Sequence, residues 1–310
     1  MAQVPDILRI YSMAELQDYG ARIQANLRGM WEEDFLSRLT DDERARAGTV
    51  TLNAPLVGDM RDPIEFYSDP VQRQVYLPIA SVKFFDDLAL AFSYYDSKGC
   101  DLGVVSDYAA VLRFRPEDIT GSPLDALGVP RTATADPRVD GPAQKILKST
   151  VFFVAAHEYA HVMYRHMSYS STTAQQAQRQ EADCDAFSLD VLRRIGVPPV
   201  GLAYFFLIAS RLEATPGDFA SLEDYEDFLR QRASHPVSSL RLLDMAKRVE
   251  ENLRAFSRLQ ADPVSWEGRL REIALQLREI AQTLDDRSMR VFLADRARTA
   301  NVEAFRHSCA

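Results

Sequence analysis

His157-Glu158-Tyr159-Ala160-His161 lies inside an apolar run that includes Ile146, Leu147, Val151, Phe152, Val154, Ala155, Ala156, Val162 and Met163, and this combination constrains the fold more than any other feature of the 310 residues. The apolar positions predict one long helix over 145–166, entered at Gly141-Pro142 and buried on most sides. On an α-helix, positions four apart share a face. Both imidazoles therefore project together from a buried surface, where polar groups need partners. Two neutral imidazoles one turn apart can share a Zn²⁺, and a carboxylate beside the first can reach a water on that ion without becoming a ligand. With only five histidines in the chain, a chance match has a probability on the order of one in a hundred. The motif points to a zinc hydrolase, most directly a peptidase.

Zinc in such sites takes a third protein ligand and keeps a fourth position open. The next helical segment supplies a candidate. Thr173 and Gln176 form a capping-box pair, Gln180-Glu181-Ala182-Asp183-Cys184-Asp185 continues the helix, and Gly196 followed by Pro198-Pro199 ends it. Glu181 stands twenty residues beyond His161, a gap that suits an antiparallel return to the metal. Asp185, one turn further on the same face, is placed to accept the free N–H of a ligating histidine. Asp183 competes as a ligand but should point about 160° away from the Glu181–Asp185 face.

A third segment, Ser234-His235-Pro236-Val237-Ser238-Ser239-Leu240-Arg241, opens another amphipathic stretch. His235 precedes a proline, which biases it away from helix and toward projection into a cleft. A His or an Arg is what a peptidase would place there to stabilise an oxyanion. Taken alone, His235 and Arg241 are more simply two surface residues at a helix start.

H-E-x-x-H, then E-A-D-x-x-A, then H-P-x-x-x-x-R resembles the gluzincin pattern, and more closely the Lit-like phage-exclusion peptidase family. The resemblance covers Leu77 to Phe85, Val151 to His166, Gln178 to Leu192 and Ser234 to Leu242, about a quarter of the chain. It implies a zincin-like metallopeptidase core and a zinc endopeptidase acting inside bacteria, in the Lit case an abortive-infection device that cuts a translation elongation factor when a phage protein signals infection. By that resemblance the metal ligands are His157, His161 and Glu181, the general base is Glu158, and His235 and Arg241 are further site residues. The implied partners are a protein substrate and an activating protein, phage-derived or other.

Global properties narrow the alternatives. A net charge of −9 and a pI near 5.2 argue against a broad nucleic-acid footprint. Met1 to Asp6 lacks a basic region followed by an apolar stretch, and the longest apolar run, around 200–209, is too short to span a bilayer, so neither a secretory signal nor a membrane anchor is expected. The expected location is the cytoplasm. Cys100, Cys184 and Cys309 are few, odd in number and widely spaced, which indicates neither a disulfide framework nor a Cys-type zinc site. Cys184, beside Glu181 on its helix, is read as a small buried residue.

The order of elements predicts a mainly α fold with a small antiparallel β-sheet (α+β). Ala14 to Leu39 and Ala80 to Tyr95 read as helical, and Thr49 to Val57 and Ile64 to Ile79 as strands with a turn at Ser68-Asp69-Pro70. The strand at Gln72 to Leu77 is a candidate edge for an extended substrate. Residues 128–141 have loop composition and read as a connector ahead of the zinc helix. Leu270, Ile273, Leu277, Ile280 and Leu284 mark an amphipathic helix that packs on its own domain. Three parts are expected: 1–140, helical with the small sheet; 141–260, the zinc-binding helical core; and 261–310, a helical extension. Other functions compatible with these residues are a gluzincin peptidase acting on a partner repressor or toxin, and a zinc-bearing interaction module or inactive pseudopeptidase.

Overall fold

The computed structural model describes residues 6–166, 171–231 and 237–309. From the N-terminus the chain forms α1 (Met13–Gly29), a π-helical turn (Met30–Phe35), α2 (Asp41–Ala47), β1 (Thr51–Asn53), β2 (Tyr67–Asp69), β3 (Gln74–Tyr76), α3 (Ile79–Lys98), α4 (Gly103–Phe114), α5 (Pro123–Ala126), α6 (Pro137–Tyr164), α7 (Ala174–Ile195), α8 (Gly201–Leu212), α9 (Leu222–Gln231), α10 (Ser239–Glu251), α11 (Leu253–Ser257), α12 (Pro263–Asp285), α13 (Arg287–Thr299) and α14 (Val302–Phe305). The fold is mainly helical with one small sheet.

The centre is the packing of α6 on α3. α3 contributes Phe84, Phe85 and Leu88 to this core, and α6 contributes Phe152, Phe153 and Ala156, all essentially fully buried. Each large apolar side chain so removed from water contributes about 1.5–3 kcal/mol. Trp31 and Phe35, from the π-helical turn, set their rings edge-on to Tyr159 at 5.9 and 5.1 Å. The middle of the H-E-x-x-H segment is thereby anchored on the side away from its histidines. One buried cluster extends from Ile7 to Phe305 and draws on all three parts expected from the sequence.

α6 begins earlier than its apolar pattern suggests. Asp136 caps it by accepting from Arg138 N, and Pro137 takes a first-turn position where a missing N–H is harmless. Pro142 consequently lies within the helix rather than at its entry. The stretch before it is also more structured than its composition implies, with a 3₁₀ helix at Arg131–Ala135. α7 starts and stops as expected, with the Thr173/Gln176 capping box formed and Gly196 left-handed at the C-cap. α8 approaches α6 closely because Gly201 has no side chain: its N–H donates to Ser149 Oγ at 2.6 Å, and a Cβ there would meet Thr150 Oγ1 at 2.2 Å. This contact brings Phe205 and Phe206 against Phe153.

The sheet is mixed rather than antiparallel. β3 is central, paired parallel to β1 (Leu52 opposite Val75) and antiparallel to β2 (Ser68 opposite Val75), in the order β1-β3-β2. The long connection from β1 to β2 lets β1 lie beside β3 in the same direction, and bonds from Leu77 N to Asn53 O and Ile79 N to Pro55 O extend that parallel run. The hairpin turn is at 70–73, two residues later than expected. The strand proposed to receive a substrate, Gln72 to Leu77, therefore has both flanks occupied. Among the described residues, β2 is the sheet edge on the side that meets α6.

The cysteines also depart from the sequence reading. Cys100, just after α3, and Cys309 are joined by a disulfide across 209 positions, and Cys184 is free and buried. The bond pins the C-terminal segment beside Gly128, whose φ of +64° and closeness to Arg306 O leave no room for a side chain. In α12 the apolar face Leu270, Ile273, Leu277, Ile280 and Leu284 is buried, and the helix packs on α10. Among the described residues, no helix is long and apolar enough to cross a membrane.

Candidate active site

α7 runs beside the C-terminal half of α6, and the pairing brings four residues of the sequence pattern into one buried cluster. The Nε2 atoms of His157 and His161 face each other at 3.2 Å. The Glu181 carboxylate straddles them, Oε2 3.3 Å from His157 Nε2 and Oε1 3.3 Å from His161 Nε2. Donor atoms bound tetrahedrally to Zn²⁺ at 2.0–2.1 Å stand about 3.3 Å apart. The spacing of these three side chains thus fits a divalent ion.

The outer contacts orient the inner ones. Asp185 Oδ1 lies 3.0 Å from His157 Nδ1. A carboxylate can only accept there, so His157 carries a proton on Nδ1, and its Nε2, toward Glu181, is the nitrogen left for a second proton or a metal ion. Arg241 grips both carboxylates from behind: Nε and Nη2 donate to Asp185 Oδ2 and Oδ1 at 2.8 Å each, and Nη1 lies 2.7 Å from Glu181 Oε2. Asp183 is exposed on the other side of α7.

Electrostatics follow from burial and this crowding. Burial disfavours a charged His157, but Glu181 and Asp185 outweigh it and lift its pKa to about 10. Burial instead lowers His161, and two rings 3.2 Å apart do not both carry charge. Burial raises Asp185, yet Arg241 and His157 more than compensate and hold it below the usual carboxylate range. Arg241 is correspondingly held in its charged form by Asp185 and Glu181 against the cost of burial. The cluster attracts positive charge, which a proton or a metal cation can supply.

Glu158 lines a cleft of about 120 Å³, to which His157 and Arg241 also contribute. Its Oε2 accepts from Ser68 Oγ of β2 at 2.9 Å. The cleft walls are Ile64, Tyr67, Phe153, Phe205, Phe206, Ala209 and Val237, with Asp62, Glu65 and Glu213 among its polar groups. An apolar side chain of a bound segment would lose water there while its backbone lay near Glu158 and β2.

Arg241 is at the site: its guanidinium contacts Asp185 and Glu181, and the residue also lines the cleft beside Glu158. His235 lies outside the described residues. Sequence reasoning missed two neighbours, Ser68 and His166, and took a third, Cys184 beside Glu181, as a small buried residue. Ser68 is 90 positions from Glu158 and carries no local signal. His166, two residues past the end of α6, sets Nδ1 3.0 Å from His161 Nδ1, and Cys184 Sγ lies 3.5 Å from the same His166 atom. A fifth-position histidine after the motif was the available clue. Burial and His161 hold His166 down to about 4, and burial raises the Cys184 thiol well above its ordinary range, so both are neutral. His157, His161 and Cys184 form a buried group able to hold a metal, with their ligand atoms within 4.8 Å of one another.

No curated protein and no solved structure matches the chain. Residues 125–195, which contain α6 and α7 and hence His157, Glu158, His161 and Glu181, match the family model described as Peptidase U49; over that stretch the chain is similar to a peptidase family.

Proposed function

We propose that this chain is a zinc-dependent endopeptidase of the gluzincin type, with a zincin-like core, that cleaves a specific intracellular protein in antiviral defence. The carrying observation is the Glu181 carboxylate set 3.3 Å from the Nε2 atoms of both His157 and His161, within a stretch similar to a peptidase family. In this reading His157, His161 and Glu181 hold Zn²⁺, which supplies Lewis acidity when bound. Glu158 takes a proton from the attacking water and returns it to the departing amine. Ser68 holds one oxygen of Glu158, leaving the other for that transfer. Asp185 orients His157 through its Nδ1–H, and Arg241 positions both carboxylates. An extended segment lies along β2 with an apolar side chain between Phe153, Phe205 and Phe206.

The substrate class of the Lit-like peptidases, a translation elongation factor, is the first target to test, and a repressor or toxin encoded nearby is the second. The decisive experiment maps new N-termini in bacterial lysate treated with wild-type protein or with Glu158→Gln. Fragments made by wild type and absent with the variant, while both hold zinc, support the reading. Zinc in both without any fragment favours a metal-bearing interaction module. One observation favours that second reading: His157, Glu158 and His161 are all at most 5% exposed, so access for a protein chain is narrow in this state.

A further inference from the structure

We propose that His166 is a positioning residue for the metal centre: its Nδ1 accepts the Nδ1–H of His161 and thereby turns the Nε2 lone pair of His161 toward His157 and Glu181. The inference rests on the metal-site reading above and extends it to a residue outside the H-E-x-x-H pattern.

The geometry starts at the end of α6. Arg165 adopts φ +54° and ψ +47°, a left-handed C-cap usually taken by glycine, and His166 N donates back to His161 O at 3.0 Å. The chain reverses at that point and lays the His166 ring edge-on against His161, with centroids 5.0 Å apart. The two Nδ1 atoms are then 3.0 Å apart, within hydrogen-bond distance. A neutral imidazole carries one N–H and one lone pair. If His161 keeps its Nε2 lone pair for a metal, its proton is on Nδ1, and the group it meets there must accept. His166 Nδ1 is that acceptor. The Cys184 thiol, 3.5 Å away, is a weak donor that points to the same lone pair, so both neighbours demand the same His166 tautomer.

His157 and His161 are therefore supported by different chemistry. His157 leans on a carboxylate, Asp185, from α7. His161 leans on a neutral imidazole from its own chain reversal. Outer partners of this kind typically change metal affinity 10–100-fold when removed.

The test compares wild type with His166→Ala, His166→Phe and His166→Asn in the full chain. Asn keeps an acceptor near the Nδ1 position, whereas Phe keeps ring volume without one. Zn²⁺ affinity is read by competition with a chromophoric chelator, Co²⁺ coordination by its visible absorption, and metal-free stability by thermal unfolding. The expected result is about 10–100-fold weaker Zn²⁺ binding and an altered Co²⁺ spectrum for Ala and Phe, with Asn restoring both. Ala or Phe variants that bind Zn²⁺ as wild type does would overturn the proposal. So would weakened binding in all three variants that tracks an equal loss of metal-free stability, the mark of a merely structural contact. Wild-type protein that takes up neither metal overturns the underlying metal reading, a result distinct from either of these.

Discussion

Arg241 and Asp185 form a two-pronged ion pair, Nε and Nη2 to Oδ2 and Oδ1 at 2.8 Å each, buried directly behind the proposed ligand His157. The remaining guanidinium nitrogen, Nη1, reaches Glu181 at 2.7 Å. Removing the cation leaves two buried carboxylates close together. Breaking a buried pair in this way costs about 3–5 kcal/mol. Arg241→Met should therefore be destabilised by about that amount without metal, and added Zn²⁺ should recover part of the loss by supplying positive charge between the same groups. Urea unfolding with and without Zn²⁺ checks this. Wild-type stability in the metal-free variant would mean that the guanidinium is not neutralising these carboxylates.

Ser68 Oγ donates to Glu158 Oε2 from the edge strand β2. Its hydroxyl fixes the carboxylate's direction but ligates nothing. A hydrogen bond to a charged group contributes about 1.5–3 kcal/mol, so Ser68→Ala should lower kcat by up to about 10–150-fold. Zn²⁺ content and KM should stay near wild type. A variant with unchanged kcat would show that Glu158 is oriented without this contact.

The helical part of the arrangement was readable because it is periodic. Four-residue spacing placed 157 with 161 and 181 with 185, while Thr173 and Gly196 marked where α7 starts and ends. Contacts joining distant segments left no such trace: Ser68 to Glu158, Cys100 to Cys309, and the parallel pairing of β1 with β3. The parallel pairing depends on where the connection between β1 and β2 travels, and nothing local encodes that path. Arg241 was noticed as a residue type, but its direction depends on how α10 packs against α7.

Asp86 offers a pH test away from the site. Burial, with repulsion from Asp87, raises its pKa to about 6, although Tyr19 OH donates to its Oδ2 at 2.9 Å. The folded chain thus favours the protonated acid more than the unfolded chain does, where the pKa is about 3.9. The resulting stability is complete below about pH 4 and is lost as pH rises through about 6, a difference of about 2–3 kcal/mol. Asp86→Asn should be more stable than wild type at pH 7.5 and nearly equal to it at pH 3.5. Equal stability at both pH values would remove the ionisation penalty from the account.

The Cys100–Cys309 bond closes nearly the whole chain from α3 onward. A disulfide across so long a loop stabilises by about 2–5 kcal/mol. Cys309→Ser, or treatment with a reductant, should lower Tm with little change in Zn²⁺ affinity, because neither cysteine touches the metal cluster. Disulfides persist mainly in oxidising surroundings, so mass analysis of thiol-trapped cells also tests the proposed cytoplasmic location. A fully reduced pair in cells is the outcome consistent with that location.

Zinc K-edge X-ray absorption on the zinc-loaded protein tests the central claim most directly. One ion per chain, with two imidazole nitrogens and carboxylate oxygen at about 2.0–2.1 Å and no sulfur at about 2.3 Å, is the predicted result, and it should be lost in Glu181→Ala. Failure to bind zinc, or a sulfur ligand from Cys184 in place of Glu181, would contradict it.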